Sequence, residues 1–143
     1  MSKAQADGKD AQKIKENAGL NYRMMNEAVR DVLKDLKQHH PECDAAAGYE
    51  IAGFVWFQGF NDQFDSAFHG NYKTNMIAFV KDVRNEYQVP NIPFVIGVLE
   101  TGATKEAVDE NPVSLVQRAA AAAPEFKDNV ASVESYPFFA WTR

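Results

Sequence analysis

The stretch Ile51-Ala52-Gly53-Phe54-Val55-Trp56-Phe57-Gln58-Gly59-Phe60-Asn61-Asp62-Gln63 constrains this chain more than any other. A near-continuous apolar run of Ile, Val and aromatics gives way abruptly to small and amide-bearing residues. Apolar on both faces, such a run reads as a strand of a parallel sheet buried between layers of helices. In open parallel sheets, ligands and catalytic groups gather just past the carboxyl ends of the strands. Gln58 to Asp62 fall at that place, so this turn is expected to form one wall of an active site.

The flanking segments fit the same scheme. Tyr22, Met25, Ala28, Val29, Val32, Leu33 and Leu36 recur at helical spacing, and that helix should stop near His39-His40-Pro41, where proline disfavours a helical residue before it. Asp62 to Gly70 reads as a loop, with Asn71 capping a second helix whose apolar face is Tyr72, Met76, Phe79, Val80, Val83 and Tyr87. A second apolar run, Phe94 to Leu99, leads into the polar Glu100-Thr101-Gly102. Asn111-Pro112 opens a third helix that passes Val113, Val116 and the alanine block before Pro124 ends it, and Asn129 to Val133 is a short third strand.

Strands separated by helices of this length imply crossover connections and a parallel sheet. The expected fold class is therefore α/β, a three-layer α/β/α arrangement. Three strands make a thin sheet for two helical layers, so the domain is expected to be incomplete. Residues 1–18 read as a polar, flexible N-terminal segment and residues 19–143 as a partial domain.

Composition narrows the function. A net charge of −5 over 143 residues, with no basic patch interleaved with aromatics, gives no electrostatic footprint for nucleic acid. No apolar run approaches the ~20 residues that cross a bilayer, and residues 1–17 lack the apolar centre of a signal peptide. Cys43 is the single cysteine, so no intramolecular disulfide forms and no cysteine-rich metal site exists. Neither a phosphate loop nor a metal-ligand spacing is present, and no cofactor is expected. A small molecule or a polysaccharide is the expected partner.

The chemistry of the turn follows from its residue types. Gly59 permits a tight turn and a close approach of reacting groups to the main chain. Gln58 and Asn61 offer uncharged side-chain N–H donors, which suit the developing oxyanion of acyl transfer. The plainer reading is that Asn61 and Asp62 cap a turn.

Val55-Trp56-Phe57-Gln58-Gly59-Phe60-Asn61-Asp62 resembles the hallmark of the sialate O-acetylesterase-like carbohydrate esterases, within the SGNH hydrolase superfamily. Phe79 to Arg84 is similar to the helix after that motif, and Ile92 to Gly97 to the next strand. The helix around Val116-Gln117-Arg118-Ala119 and the strand Asn129-Val130-Ala131 follow in the same order, so the resemblance spans residues 20–135. It implies a serine esterase that removes O-acetyl groups from sugars, with an acetylated carbohydrate as its partner. By the same resemblance, Gly59 and Asn61 fall in a Gly-x-Asn-Asp block whose Asn donates to the oxyanion. Gln58 takes the amide position of a Gln-Gly motif. Either amide, Gln58 or Asn61, can face the oxyanion. Related enzymes are often exported.

Departures from the pattern are equally informative. Phe60 stands where many relatives carry Glu, which leaves Asp62 as the available carboxylate. The family's nucleophilic serine block and its Asp-x-x-His-like pair are not found, and the serines present lack a strand-turn-helix context. His69 and Glu100 are further candidates for substrate contact, His69 as a solvated loop residue near the site and Glu100 as a rim residue after the second strand. His39 and His40 are expected to sit at a helix end, where a cation suits the dipole. Two other classes compete with the esterase. One is a carbohydrate-binding module that kept the scaffold and lost the chemistry, and the other an unrelated α/β hydrolase or transferase. Core surface left exposed on an incomplete sheet would favour self-association.

Overall fold

A computed structural model describes residues 17–100 and 104–138. Most of the polar segment 1–18 and the loop at Thr101-Gly102 lie outside the described residues. The chain divides into two compact units, Met1–Glu50 and Ile51–Arg143.

In the first unit, the expected single helix is two. Helix α1 spans Leu20–Lys34 and the single turn α2 spans Leu36–His39. The break is at Asp35, whose non-helical backbone frees its carboxylate to accept the Gln38 N–H at 3.2 Å. An aspartate that caps a new turn competes with continuing the old one. The chain then leaves helical geometry at His40, before Pro41, as the proline requires.

The second unit carries a parallel sheet of three strands in the order β1-β2-β3, with β1 at Phe54–Trp56, β2 at Phe94–Val98 and β3 at Val130–Glu134. Phe54 pairs with Phe94 and Trp56 with Ile96, while Phe94 pairs with Val130 and Val98 with Glu134. Among the described residues, the α-helices of this unit are α3 (Ser66–Glu86), α4 (Lys105–Glu110) and α5 (Pro112–Ala121). The α/β class and the parallel sheet are as the sequence implies.

Side chains alternate across a strand, so Phe54, Trp56, Phe94, Ile96 and Val98 share one face. That face meets α3 through Phe79, whose ring centre lies 5.7 Å from Phe54, 4.5 Å from Trp56 and 5.9 Å from Phe94. Val80, Val83, Ile92, Ile96, Val113 and Ala120 are fully buried there. The opposite face differs from the expectation of a strand apolar and buried on both sides. Val55 on the edge strand is 74% exposed and Phe57 is 65% exposed. Phe57 lies over Gly97 of the neighbouring strand, where a Cβ would come within 2.2 Å of its ring. The glycine in β2 is thus the seat of that ring.

The sheet's amino ends are tied by Arg84 of α3. Its guanidinium donates to the Ile92 carbonyl at 3.0 Å and to the Asn129 side chain at 2.7 Å, and stands over the Phe126 ring. Burial lowers its pKa from the ordinary arginine value.

Candidate active site

Helix α3 begins earlier than the sequence suggests. Asp65, not Asn71, is its cap and accepts the Ala67 N–H at 2.8 Å. His69 is therefore helical, not part of a loop. A short helical turn, Asp62–Phe64, fills the space between the motif and α3. Glycine at position 70 hid this continuation, because glycine weakens a helix without ending it.

The motif occupies the carboxyl end of β1. Gly59 is buried and sits at φ +151°, a backbone conformation that L side chains rarely adopt. A Cβ there would lie 2.8 Å from Val113 Cγ1 and 3.0 Å from Gln117 Nε2, both on α5. Only glycine lets the turn press this closely on the helix.

The Gln58 carbonyl points into the protein and accepts two hydrogen bonds, one from the Tyr72 hydroxyl at 2.8 Å and one from Gln117 Nε2 at 2.8 Å. The Tyr72 oxygen accepts in turn from the Trp56 indole N–H at 3.3 Å and from Gln117 Nε2 at 3.3 Å. That uses the full capacity of a hydroxyl, one donor and two acceptor sites. Burial raises the Tyr72 pKa above its ordinary value, while the bonds from Gln117 and Trp56 pull the other way. The hydroxyl is therefore protonated at neutral pH and can donate to Gln58.

The side chains of the motif point differently. Gln58 Nε2 donates to Asp62 Oδ2 at 2.6 Å, so Asp62 fixes the orientation of that amide. The Asn61 side chain is exposed, and no side-chain hydrogen bond holds it among the described residues. Its donors remain available. Gln58, Gly59 and Asn61 line one cleft of about 290 Å³ with Phe57, Phe60 and Leu99. Gln58 and Asp62 line a second, of about 330 Å³, with Trp56, Phe68, Asn71 and Asn75. Gln58 is thus the shared wall of two clefts.

Of the other residues singled out from sequence, Glu100 lines a neighbouring apolar cleft with Phe57, Leu99, Ser135 and Phe138. His69 lines none of these clefts. Ser114 is fully buried and donates to the Leu99 carbonyl at 2.8 Å, and Ser135 donates to the Val98 carbonyl at 2.7 Å. Both hydroxyls brace the end of β2.

Sequence reasoning gave Gln117, Ser114 and Tyr72 no role in the site. A usable signal existed for the first two: with Asn111 as cap, Val113, Ser114, Gln117 and Ala120 fall on one face of α5, and all four are buried. Polar residues on a buried helix face need partners, and here the partners are the ends of β1 and β2.

The amide-bearing turn lies past the carboxyl end of a parallel strand, where open α/β sheets bind their ligands. The family model for carbohydrate esterases, the sialic acid-specific acetylesterases, matches residues 10–136. The chain belongs to this family. No curated protein and no solved structure matches it significantly.

Proposed function

We propose that the Gln58–Asp62 turn is the oxyanion side of a site that hydrolyses O-acetyl esters of a carbohydrate. Membership of the acetylesterase family supplies the reaction class, an acetylated sugar losing acetate to water. In a serine mechanism, hydroxyl oxygen attacks the acetyl carbon, the sugar oxygen leaves with a proton, and water then releases acetate from the acyl-enzyme. Each tetrahedral stage carries a negative oxygen that needs donors already in place.

The observation that carries this reading is the contrast between the two amides. The Gln58 amide is engaged by Asp62 at 2.6 Å, while the exposed Asn61 amide has its donors free in the cleft with Gly59. Asn61 is thus the side-chain donor to the oxyanion. Asp62 orients Gln58 and is the carboxylate at hand where Phe60 stands in place of a glutamate. Phe57 and Phe60 offer exposed rings beside the donors, suited to stacking on a pyranose face.

Acetate release from an O-acetylated methyl glycoside tests the reading. Asn61→Ala should lower kcat by about 10²- to 10³-fold with little change in KM, as loss of one oxyanion donor does. An unchanged kcat would remove Asn61 from the reaction.

A second reading has an observation of its own. Ser114 and Ser135 both donate to main-chain carbonyls, and no serine among the described residues lines either cleft beside Gln58. That favours a module that binds the acetylated sugar without cleaving it. Saturable binding with no acetate released would select it.

A further inference from the structure

Past their last pair, Trp56 and Ile96, the two strands that carry the site stop hydrogen-bonding to each other, and a side chain joins their ends. In a parallel ladder, a residue donates to the residue before its partner and accepts from the residue after it. Phe54 follows this rule: it pairs with Phe94 and donates to the Pro93 carbonyl at 2.9 Å. Carried forward two steps from the Trp56–Ile96 pair, the register sets Gln58 opposite Val98. One rung past the Gln58 N–H to Gly97 carbonyl bond, itself not formed, the Leu99 N–H would donate to the Gln58 carbonyl. It does not. The Leu99 N–H donates to Gln117 Oε1 at 2.7 Å, and Gln117 Nε2 donates to the Gln58 carbonyl at 2.8 Å.

We infer that Gln117 is a positioning residue: its carboxamide is spliced into the sheet ladder as a wedge that parts β1 from β2 and sets the Gln58–Asp62 turn. This role rests on the reading of that turn as the oxyanion side. Gln117 is fully buried, and its partners permit one orientation only. A main-chain N–H cannot accept and a carbonyl cannot donate, so the amide cannot flip. The peptide between Gln58 and Gly59 is trans, as are all those described. Anchoring its carbonyl on Gln117 and Tyr72 therefore turns the Gly59 N–H to the opposite side. Ser114, one turn before Gln117, holds the Leu99 carbonyl, so both polar groups of Leu99 are bound by α5. One helix face thus fixes the ends of both strands.

Chemically, the work needs an uncharged group of this length. It must accept on one side and donate on the other. A shorter side chain lets the rung close, and a carboxylate can only accept.

The test is NMR detection of scalar couplings across hydrogen bonds in the isotopically labelled chain. In the unaltered protein, the Gln117 side-chain nitrogen should couple to the Gln58 carbonyl carbon, and the Leu99 amide nitrogen should not. In Gln117→Ala, the Leu99–Gln58 coupling should emerge as the rung closes. Gln117→Glu adds a pH-dependent readout. Protonated, the carboxyl can donate to Gln58 and accept from Leu99; ionised, it can only accept. Its Gly59 and Asn61 amide resonances should return toward those of the unaltered chain as pH falls. Affinity for an O-acetylated methyl glycoside, or acetate release from it, should rise roughly tenfold over the same range, the worth of one buried hydrogen bond restored.

A direct Leu99–Gln58 coupling in the unaltered chain would overturn the wedge. So would a Gln117→Glu variant whose turn resonances follow the unaltered chain at every pH. Couplings and a pH response of the turn, with binding and acetate release both indifferent, would leave the wedge standing and overturn the turn's part in the reaction. The two failures are therefore distinguishable.

Discussion

A Cβ on Gly59 would lie 2.8 Å from Cγ1 of Val113, so the turn after β1 closes on α5 with no space for a side chain. Gly59→Ala meets both this clash and a backbone angle of +151°. The expected cost is about 2–4 kcal/mol, from strained backbone plus an overfilled contact. Urea denaturation of the two proteins checks it through the shift in midpoint.

Gly70 should respond with the opposite sign. It lies inside α3, and a Cβ there would meet nothing within 4 Å. Gly70→Ala is expected to raise stability by about 0.5–1 kcal/mol, the ordinary gain of alanine over glycine in a helix interior. Thermal unfolding of the single variant measures the gain directly.

Asn111 caps α5 by accepting the N–H groups of Val113 and Ser114, and its own amide donates to Gln63 at 3.0 Å. Asn111→Ala should cost about 1–2 kcal/mol, with Asn111→Asp keeping the cap and losing the bond to Gln63. The stability difference between the two variants, read from denaturation midpoints, reports the worth of the cap, and the loss in Asn111→Asp reports the link between helix and motif. Equal losses would mean that the link to Gln63 carries the effect.

Tyr72 makes stability fall at alkaline pH. Its folded pKa is raised above the ordinary value of 10.0, chiefly by burial, so above that value the folded state holds a proton that the unfolded state has released. Its contribution is fully present below pH ~10 and is lost as pH rises through the higher folded value. Tyr72→Phe should be less stable at neutral pH, because the Gln58 carbonyl loses a donor, yet less sensitive to alkali. Unfolding midpoints of both proteins across the alkaline range check the sign.

The sequence made the three strands legible because each is a short apolar run closed by polar residues, and the helices between them because their apolar positions recur at helical spacing. The motif's position was legible for the same reason: Gln58 to Asp62 follow β1 immediately. The start of α3 was not, since Asp65 and Asn71 are both good caps and only the folded chain decides between them. Exposure of Val55 was hidden too, because an edge strand and a central strand can share one apolar pattern. Gln117 escaped because its role depends on partners 18 and 59 residues away, which no local pattern encodes.

The central claim is that an acetylated sugar docks against the Gln58–Asp62 turn. The most direct measurement is an NMR titration of the isotopically labelled chain with an O-acetylated methyl glycoside, with the deacetylated glycoside as control. Saturable shifts of the Gly59 main-chain amide and the Asn61 side-chain amide that depend on the acetyl group are expected. Shifts confined to residues away from both clefts, or identical with the deacetylated sugar, would contradict it.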